Sequence, residues 1–356
     1  LTPAVFSPTP QAMRDLRPVL ERFAPLAGQS PASLTVTPMT GGLINDTFAL
    51  GDQWVLQRLH RIFAAEVNLD IAALVPHLLA AGVPVPELQA SLAGPPWVQW
   101  EGADERAGVW RILSRLDGDT LHKLGSLKQA NAAAALLARF HGALAGVEHT
   151  FAFTRPGAHD TDRHMQVLGQ ALETHAQHRL HAAVRPLAEE LVARWRDCPR
   201  IAELPTRIIH GDAKVSNFLF RGEAAVAVLD LDTMAHSTLD IELGDALRSW
   251  CNPTTEDDPA PRFDVAVFGA VVSGYAGAAD GWLTDAERKA MPAGALRICL
   301  ELSARFAADA LNEAYFGWDG QRYPARGEHN LARAIGQLGL ARDLSRQWPE
   351  LSARVA

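Results

Sequence analysis

The stretch IIHGDAKVSNFLF, residues 208–220, sets a histidine, an aspartate, a lysine and an asparagine between two apolar flanks. Turn residues between short β-rich runs ordinarily follow no fixed order. Here His210, Gly211, Asp212, Lys214 and Asn217 do, and the next apolar run, AVAVLDLD (225–232), closes on Asp230 and Asp232. The segments NFLF and AVAVLD, on either side of a glycine-containing turn, predict a hairpin that brings Asn217 at the start of one strand beside Asp230 at the end of the other. Phosphoryl transfer needs such a cluster: a carboxylate that orients the attacking hydroxyl, a lysine for the γ-phosphate, and two oxygen ligands for Mg²⁺ on the triphosphate. The plain alternative is a polar hairpin whose Asp and Asn satisfy backbone groups. A lone Asp would favour it, but His-Gly-Asp with Asn at +5 arises by chance in such a chain on the order of once in a thousand.

Outward from this hairpin the chain changes texture. Residues 10–24, PQAMRDLRPVLERFA, place Met13, Leu16, Val19, Leu20 and Phe23 at helical spacing. Residues 33–60 then read as three short strands broken at Gly41-Gly42 and Gly51-Asp52, an antiparallel meander. A helix is predicted over 65–81, closed by Gly82 and Pro84, and GVWRILSRL (108–116) is a further strand. Beyond Leu121 helices dominate: LKQANAAAALLARFHGALAG, one or two over 162–197, and ALRICLELSARFAADALNEAYF (295–316), with β structure only around 207–231. The reading is an α+β chain with a sheet-bearing lobe (1–112), a hinge (113–118) and a mainly helical lobe (119–356). Sites commonly lie in the cleft between such units.

Composition narrows the function. The 356 residues are 48% hydrophobic and 21% charged, ordinary for a globular protein, and the net charge of -8 argues against nucleic acid as the partner. Cys198, Cys251 and Cys299 are odd in number and far apart, so neither a disulfide framework nor a zinc site is expected. No run is long and apolar enough for a membrane span and no signal pattern opens the chain, so a cytoplasmic location is expected.

The motif HGDAKVSN with the following LDLD resembles the catalytic and metal loops of the protein-kinase-like phosphotransferases, above all the aminoglycoside and choline kinase group. Further out, GGLINDTF, VLQRLH, IFAAEVNL, HDT, DLDTM, GDALR, RFAADALNEAYF and EHNL, in this order, resemble a bacterial branch typified by N-acetylhexosamine 1-kinase, over about Pro38 to Leu331. The resemblance implies a two-lobed kinase-like fold. It makes Asp212 the catalytic base, with Lys214 at the catalytic-loop lysine's offset and Asn217 and Asp230 as metal ligands. Asp232 either approaches a second metal or braces the loop, and His210 braces rather than reacts.

The same resemblance assigns the nucleotide side to Gly42, Asn45 and Thr47 in a phosphate-covering loop, although two glycines can equally make a hairpin turn. Arg58 stands where kinases carry the lysine for the α- and β-phosphates, with Glu66 or Asp70 as candidate helix partners. The strand RILSRL, with Leu113, would face the adenine, or its alternation is packing alone. On the acceptor side the resemblance points to Arg305, His159, Asp160 and Tyr315. Arg305 and Asp309 are also four apart, the spacing of an ordinary helical ion pair. The family's arginine five after His159 is His164 here, and Leu43 replaces a polar residue. Asp245 and Arg248 brace the site, and Trp250 and Cys251 belong to the core. The expected activity is Mg²⁺-dependent transfer of the γ-phosphate of ATP to a small hydroxyl-bearing acceptor, a sugar, with the anomeric hydroxyl of an amino sugar as the leading form. Choline, ethanolamine, homoserine and aminoglycosides are alternative acceptors, and a non-catalytic nucleotide-binding module of the same fold is the alternative class.

Overall fold

The computed structural model describes residues 16–39, 45–101 and 106–356. Within them the helix expected over 10–24 is a single turn, α1 (Arg17–Leu20), with Pro18 in its first turn; Met13 lies outside the described residues. Strands β1 (Val36–Pro38), β2 (Asp46–Leu50) and β3 (Trp54–Arg58) form the expected meander. Helix α2 (Val67–Ala80) follows, then β4 (Val98–Trp100) and β5 (Gly108–Ser114). Together they make a five-stranded antiparallel sheet in the order β1-β2-β3-β5-β4.

Alternation gives this sheet two unlike faces. Cross-strand partners Phe48, Leu56 and Ile112 share one face and are buried with Trp110 against Leu16, Val19, Leu20 and Phe23. The other face carries Thr47, Gln57 and Arg111, which are also cross-strand partners. That polar face is turned toward the rest of the chain.

After a short strand β6 (Asp119–Thr120) come helices α3 (Leu127–Leu144), α4 (Thr161–Thr174) and α5 (His181–Arg196). Strands β7 (Arg207–Ile209), β8 (Phe218–Arg221), β9 (Ala224–Val228) and β10 (Ala235–Ser237) make two small antiparallel sheets, with β8 and β9 as the expected hairpin. Helices α6 (Leu239–Trp250), α7 (Val265–Ala278), α8 (Asp285–Asn312), α9 (Arg326–Arg346) and α10 (Trp348–Arg354) complete the chain. One apolar core runs through this half, and Trp250 and Cys251 are buried in it. Helices α6 and α8 cross where Gly244 meets Gly294: a methyl on Gly294 would stand 2.2 Å from the Asp240 carbonyl oxygen. Only residues without a side chain allow that approach, which sets the α6 carboxylates beside α8.

The fold is thus α+β, an antiparallel sheet followed by a mainly helical region, as expected. Helix α8 begins in a capping box of Thr284 and Glu287 but ends at Asn312, short of the expected 316. Glu313 turns into the left-handed region because the Asp309 carboxylate takes the backbone N–H groups of Ala314, Tyr315 and Phe316 at 2.8–2.9 Å. Among the described residues no helix is long and apolar enough to cross a membrane.

Candidate active site

The loop between β7 and β8 is held by hydrogen bonds that leave few polar atoms over. Gly211 has φ +79°, and a methyl there would lie 2.3 Å from the Thr233 carbonyl oxygen. Its N–H and that of His210 donate to the buried Glu242 carboxylate at 2.8 and 3.1 Å, and His141 meets the same carboxylate at 3.2 Å. Burial opposes the Glu242 charge, but His141 and the N–H donors outweigh it and hold its pKa below the ordinary value. The His210 ring accepts from the Asp212 N–H and reaches the Leu229 carbonyl at 2.8 Å. Both ring nitrogens are spent on the loop itself, so His210 is a brace.

Asp212 Oδ2 is taken by Lys214 Nζ at 2.5 Å and by Asn217 Nδ2 at 3.2 Å. Asn217 Nδ2 also donates to the Asp212 carbonyl at 2.7 Å, and the Asn217 carbonyl accepts the Leu229 N–H at 2.8 Å. The last bond joins the loop to the strand end that carries Asp230. Burial opposes the Lys214 charge, but Asp212, Asp230 and Asp245 overcome it and raise its pKa. Asp212 Oδ1 and Asn217 Oδ1 have no hydrogen-bond partner among the described residues.

Asp230 sits in the left-handed region at φ 60°, ψ 62°, at the head of a short 3-10 turn over Leu231–Thr233. A non-glycine residue there costs on the order of 1–2 kcal/mol. Its carboxylate accepts no hydrogen bond among the described residues, and burial together with Asp232 pushes its pKa up to about 6. A carboxylate that accepts no hydrogen bond, one residue after the Leu229 N–H that the Asn217 carbonyl accepts, fits a hard divalent cation. No three His, Cys, Asp or Glu side chains among the described residues form a metal-holding group. The donor set therefore suits a cation that shares its remaining ligands with phosphate oxygens and water.

Asp232, two residues on, is fully engaged. Arg111 of β5 forks onto it at 2.5 and 2.9 Å, and Asn45 Nδ2 donates to it at 2.9 Å. The other end of the Asn45 amide accepts the His60 N–H. Thr47 is one bond further out, receiving Gln57 Nε2 at 3.2 Å. Gly42 and Leu43 lie outside the described residues. Arg58 is elsewhere: its guanidinium is paired with Asp46 at 2.7 Å and lies over the Trp110 ring, on the apolar face of the sheet. Strand alternation gives the face turned to the catalytic loop to Gln57 instead. Asp70 is not its partner either, since it binds His149 and the N–H groups of Ala152 and Phe153. Leu113 lies within β5, paired with Val55 and bridged to Leu88.

A second wall is organised by Glu301 of α8, buried completely. It accepts His159 Nδ1 at 3.0 Å and the Thr161 hydroxyl at 2.8 Å. With a carboxylate at Nδ1, His159 carries its proton there and keeps Nε2 free. Arg305 is the unusual member: its side chain is 19% exposed, its nearest carboxylate oxygen is on Glu301 at 3.8 Å, and it makes no hydrogen bond among the described residues. It lies 5.6 Å from the Phe316 ring centre, and Tyr315, half-exposed, packs edge-on against that ring. The helical ion pair with Asp309 does not form, because Asp309 caps the following loop. Asp160 is the N-cap of α4, accepting the Arg163 N–H at 3.0 Å. Asp245 is bound to Arg248 at 2.9 Å; burial opposes its charge, but Arg248, His159 and Lys214 overcome that and hold its pKa below the ordinary value.

Sequence reasoning passed over Arg111 and Glu301. Each left a signal: an arginine inside the apolar strand VWRIL and a glutamate inside the apolar helix segment ICLEL. A charge in such a setting is seldom buried without a partner.

The family model described as a phosphotransferase enzyme family (APH) matches residues 35–280, which include the segment from His210 to Asp232. The fold is similar to that of a microcompartment-associated aminopropanol kinase, with TM-score 0.60 and 16% identity over 96% of this chain and 98% of that one. It is also similar to an amicoumacin kinase in complex with AMP-PNP and Ca²⁺, with TM-score 0.59 and 16% identity over 92% and 94% of the two chains. A choline/ethanolamine kinase family protein from Mesorhizobium loti gives TM-score 0.55 and 17% identity over 90% and 93%. At these identities the likeness establishes a shared kinase-like fold.

Proposed function

We propose that this chain, which belongs to the phosphotransferase enzyme family (APH) and is a small-molecule kinase, transfers the γ-phosphoryl group of ATP to a hydroxyl of a neutral sugar. The support for the catalytic roles is the pattern of uncommitted oxygens. Among the described residues Asp212 Oδ1, Asn217 Oδ1 and the Asp230 carboxylate accept no hydrogen bond, while most of the loop's other polar atoms are engaged. Asp212 Oδ1 accepts the acceptor's hydroxyl proton, while its Oδ2 is fixed by Lys214 and Asn217. Lys214 supplies positive charge where the transferred group passes. Asn217 and Asp230 would hold Mg²⁺, which when bound screens the triphosphate oxygens and stabilises charge in the transition state. The amicoumacin kinase complex, with a triphosphate analogue and a divalent cation, supports such a pairing on the same fold. The nucleotide enters between the polar sheet face and the metal loop, with 113–118 as the hinge and Asn45 and Thr47 on the nucleotide side.

The acceptor class rests on Arg305. A largely buried guanidinium without a hydrogen bond, beside a free His159 Nε2, offers directional donors and acceptors to hydroxyl groups. Its positive charge over Phe316 occupies the ring face that a quaternary ammonium would need, and it repels a polycation. The ordered match of RFAADALNEAYF and EHNL to the hexosamine 1-kinase branch adds the anomeric hydroxyl as the site of transfer. Acceptor-dependent ADP release, screened over sugars, amino sugars, amino alcohols and aminoglycosides, tests the class. Phosphorus-coupled proton NMR of the product tests the position. Phosphate on the anomeric carbon is the expected result. Phosphate on a primary hydroxyl, or turnover only with choline, homoserine, aminopropanol or an aminoglycoside, would defeat the sugar and leave the kinase standing.

A further inference from the structure

The Arg111–Asp232 pair has no part in the roles above, yet it is among the most completely buried ion pairs in the molecule, with side chains 3% and 0% exposed. Every N–H of the guanidinium is used. Nε and Nη2 reach Gln57 Oε1 at 3.0 and 2.8 Å, Nη1 reaches Asn68 Oδ1 of α2 at 3.2 Å, and the fork closes on both Asp232 oxygens. No donor is left for a phosphate. Asp232 in turn receives Arg111 on each oxygen and Asn45 on one of them. Asp230, two residues earlier in the same turn, has no such partner.

We propose that Arg111 is the positioning residue of the metal loop. By holding Asp232 in a two-point ion pair it fixes the turn that presents Asp230 and keeps Asp232 from serving as a metal ligand. The inference rests on the proposed role of Asn217 and Asp230 toward the nucleotide's cation. Three features carry it. Asp232 is the middle residue of the 3-10 turn that Asp230 heads from a left-handed conformation, so an anchor there constrains the strained residue directly. The anchor comes from β5 in the other half of the chain and is shared with α2 and with Asn45, so sheet, helix and metal loop meet at one guanidinium. Finally, the carboxylate that a second cation would need is already neutralised by a cation that cannot leave without stranding a buried charge. A lysine could match the charge but not the five-point geometry.

Binding of ADP with Mn²⁺, followed by calorimetry and by the Mn²⁺ paramagnetic signal, tests this without relying on turnover. Arg111→Gln and Asp232→Asn should each weaken Mn²⁺-dependent ADP binding about tenfold or more, while ADP binding in EDTA stays as in the wild type. Arg111→Lys should recover part of the loss. The double variant Arg111→Gln/Asp232→Asn leaves no unpaired buried charge, so it should fold where a single variant does not, and it should still show the tenfold loss. Wild-type Mn²⁺-dependent binding in the double variant would overturn the inference. So would tighter Mn²⁺ binding, or an additional Mn²⁺ per ADP, in Arg111→Gln, because Asp232 would then be a ligand held in reserve. A wild-type chain that binds ADP no better with Mn²⁺ than in EDTA would overturn the proposed metal roles and this inference with them.

Discussion

The proposed catalytic loop and acceptor wall are built on opposite plans. The loop from His210 to Asn217 is tied mostly by bonds within itself and its hairpin, with the Glu242 carboxylate of α6 taking two of its N–H groups, and among the described residues Asp212 Oδ1 and Asn217 Oδ1 accept no hydrogen bond. The acceptor wall joins α4 to α8 through Glu301 and Arg297 and leaves the Arg305 guanidinium with an ion pair at 3.8 Å and no hydrogen bond among the described residues. The difference separates two demands. Chemistry common to a reaction needs fixed geometry, which short-range backbone bonds supply. Selectivity needs free donors in a shaped space, which distant elements must be folded together to make.

The comparison can be broken at its strongest point first. Asp212→Asn keeps the shape and removes the proton acceptor, so kcat should fall at least ~10²-fold with little change in ATP affinity. Near wild-type turnover would show that the loop's free oxygen is not the base. Gly211→Ala tests whether the loop depends on its close backbone contact. The left-handed φ and the 2.3 Å approach to Thr233 should together cost about 3 kcal/mol or more, read as a loss of several degrees in Tm and a disordered loop. A variant as stable as the wild type would mean that the contact is readily relieved.

Arg305→Met sharpens the other side. It should raise KM for the acceptor about tenfold, leaving KM for ATP and acceptor-independent ATP hydrolysis unchanged, since the guanidinium supports nothing else by hydrogen bonding. A fall in stability without a change in acceptor KM would make it a packing residue. The smallest expected effect is at Asp257. Burial alone would raise its pKa, but Thr255, Tyr323 and Arg322 overcome that and lower it to about 2. A carboxyl depressed on folding contributes stability that is complete above its ordinary pKa near 4 and is lost as pH falls through about 2. Asp257→Asn should therefore be slightly less stable than the wild type near neutral pH, and the gap between their thermal midpoints should close from pH 4 down to 2. A gap that persists unchanged at pH 2 would mean that the carboxylate's charge is not what Tyr323 and Arg322 stabilise.

What could be read from the chain follows the same division. His210, Asp212, Lys214 and Asn217 were legible because one tight loop holds them at fixed spacing, and Asp230 because a short hairpin returns it to Asn217. The helix over 67–80 and the meander before it were legible from periodicity. The helix end at Asn312 was not, since Asp309 caps the chain through a carboxylate that helix propensity does not register.

The amino-acid sequence by itself determined the α+β order of elements and the spacing that gathers His210, Asp212, Lys214, Asn217 and Asp230 at one hairpin, because both depend largely on contacts within a few residues or one hairpin. Only the tertiary structure decided which cation serves the polar sheet face. Arg58 and Arg111 are both arginines in apolar strands, and nothing local distinguishes them. The pairing of β3 with β2 and β5 puts Arg58 with Asp46 and Trp110 on the packed face, and Arg111 with Gln57 on the face turned to Asp232. Side chains alternate with a period of two, so a strand's register against its neighbours and its lobe's approach to the metal loop settle the matter, and both are long-range properties of the fold.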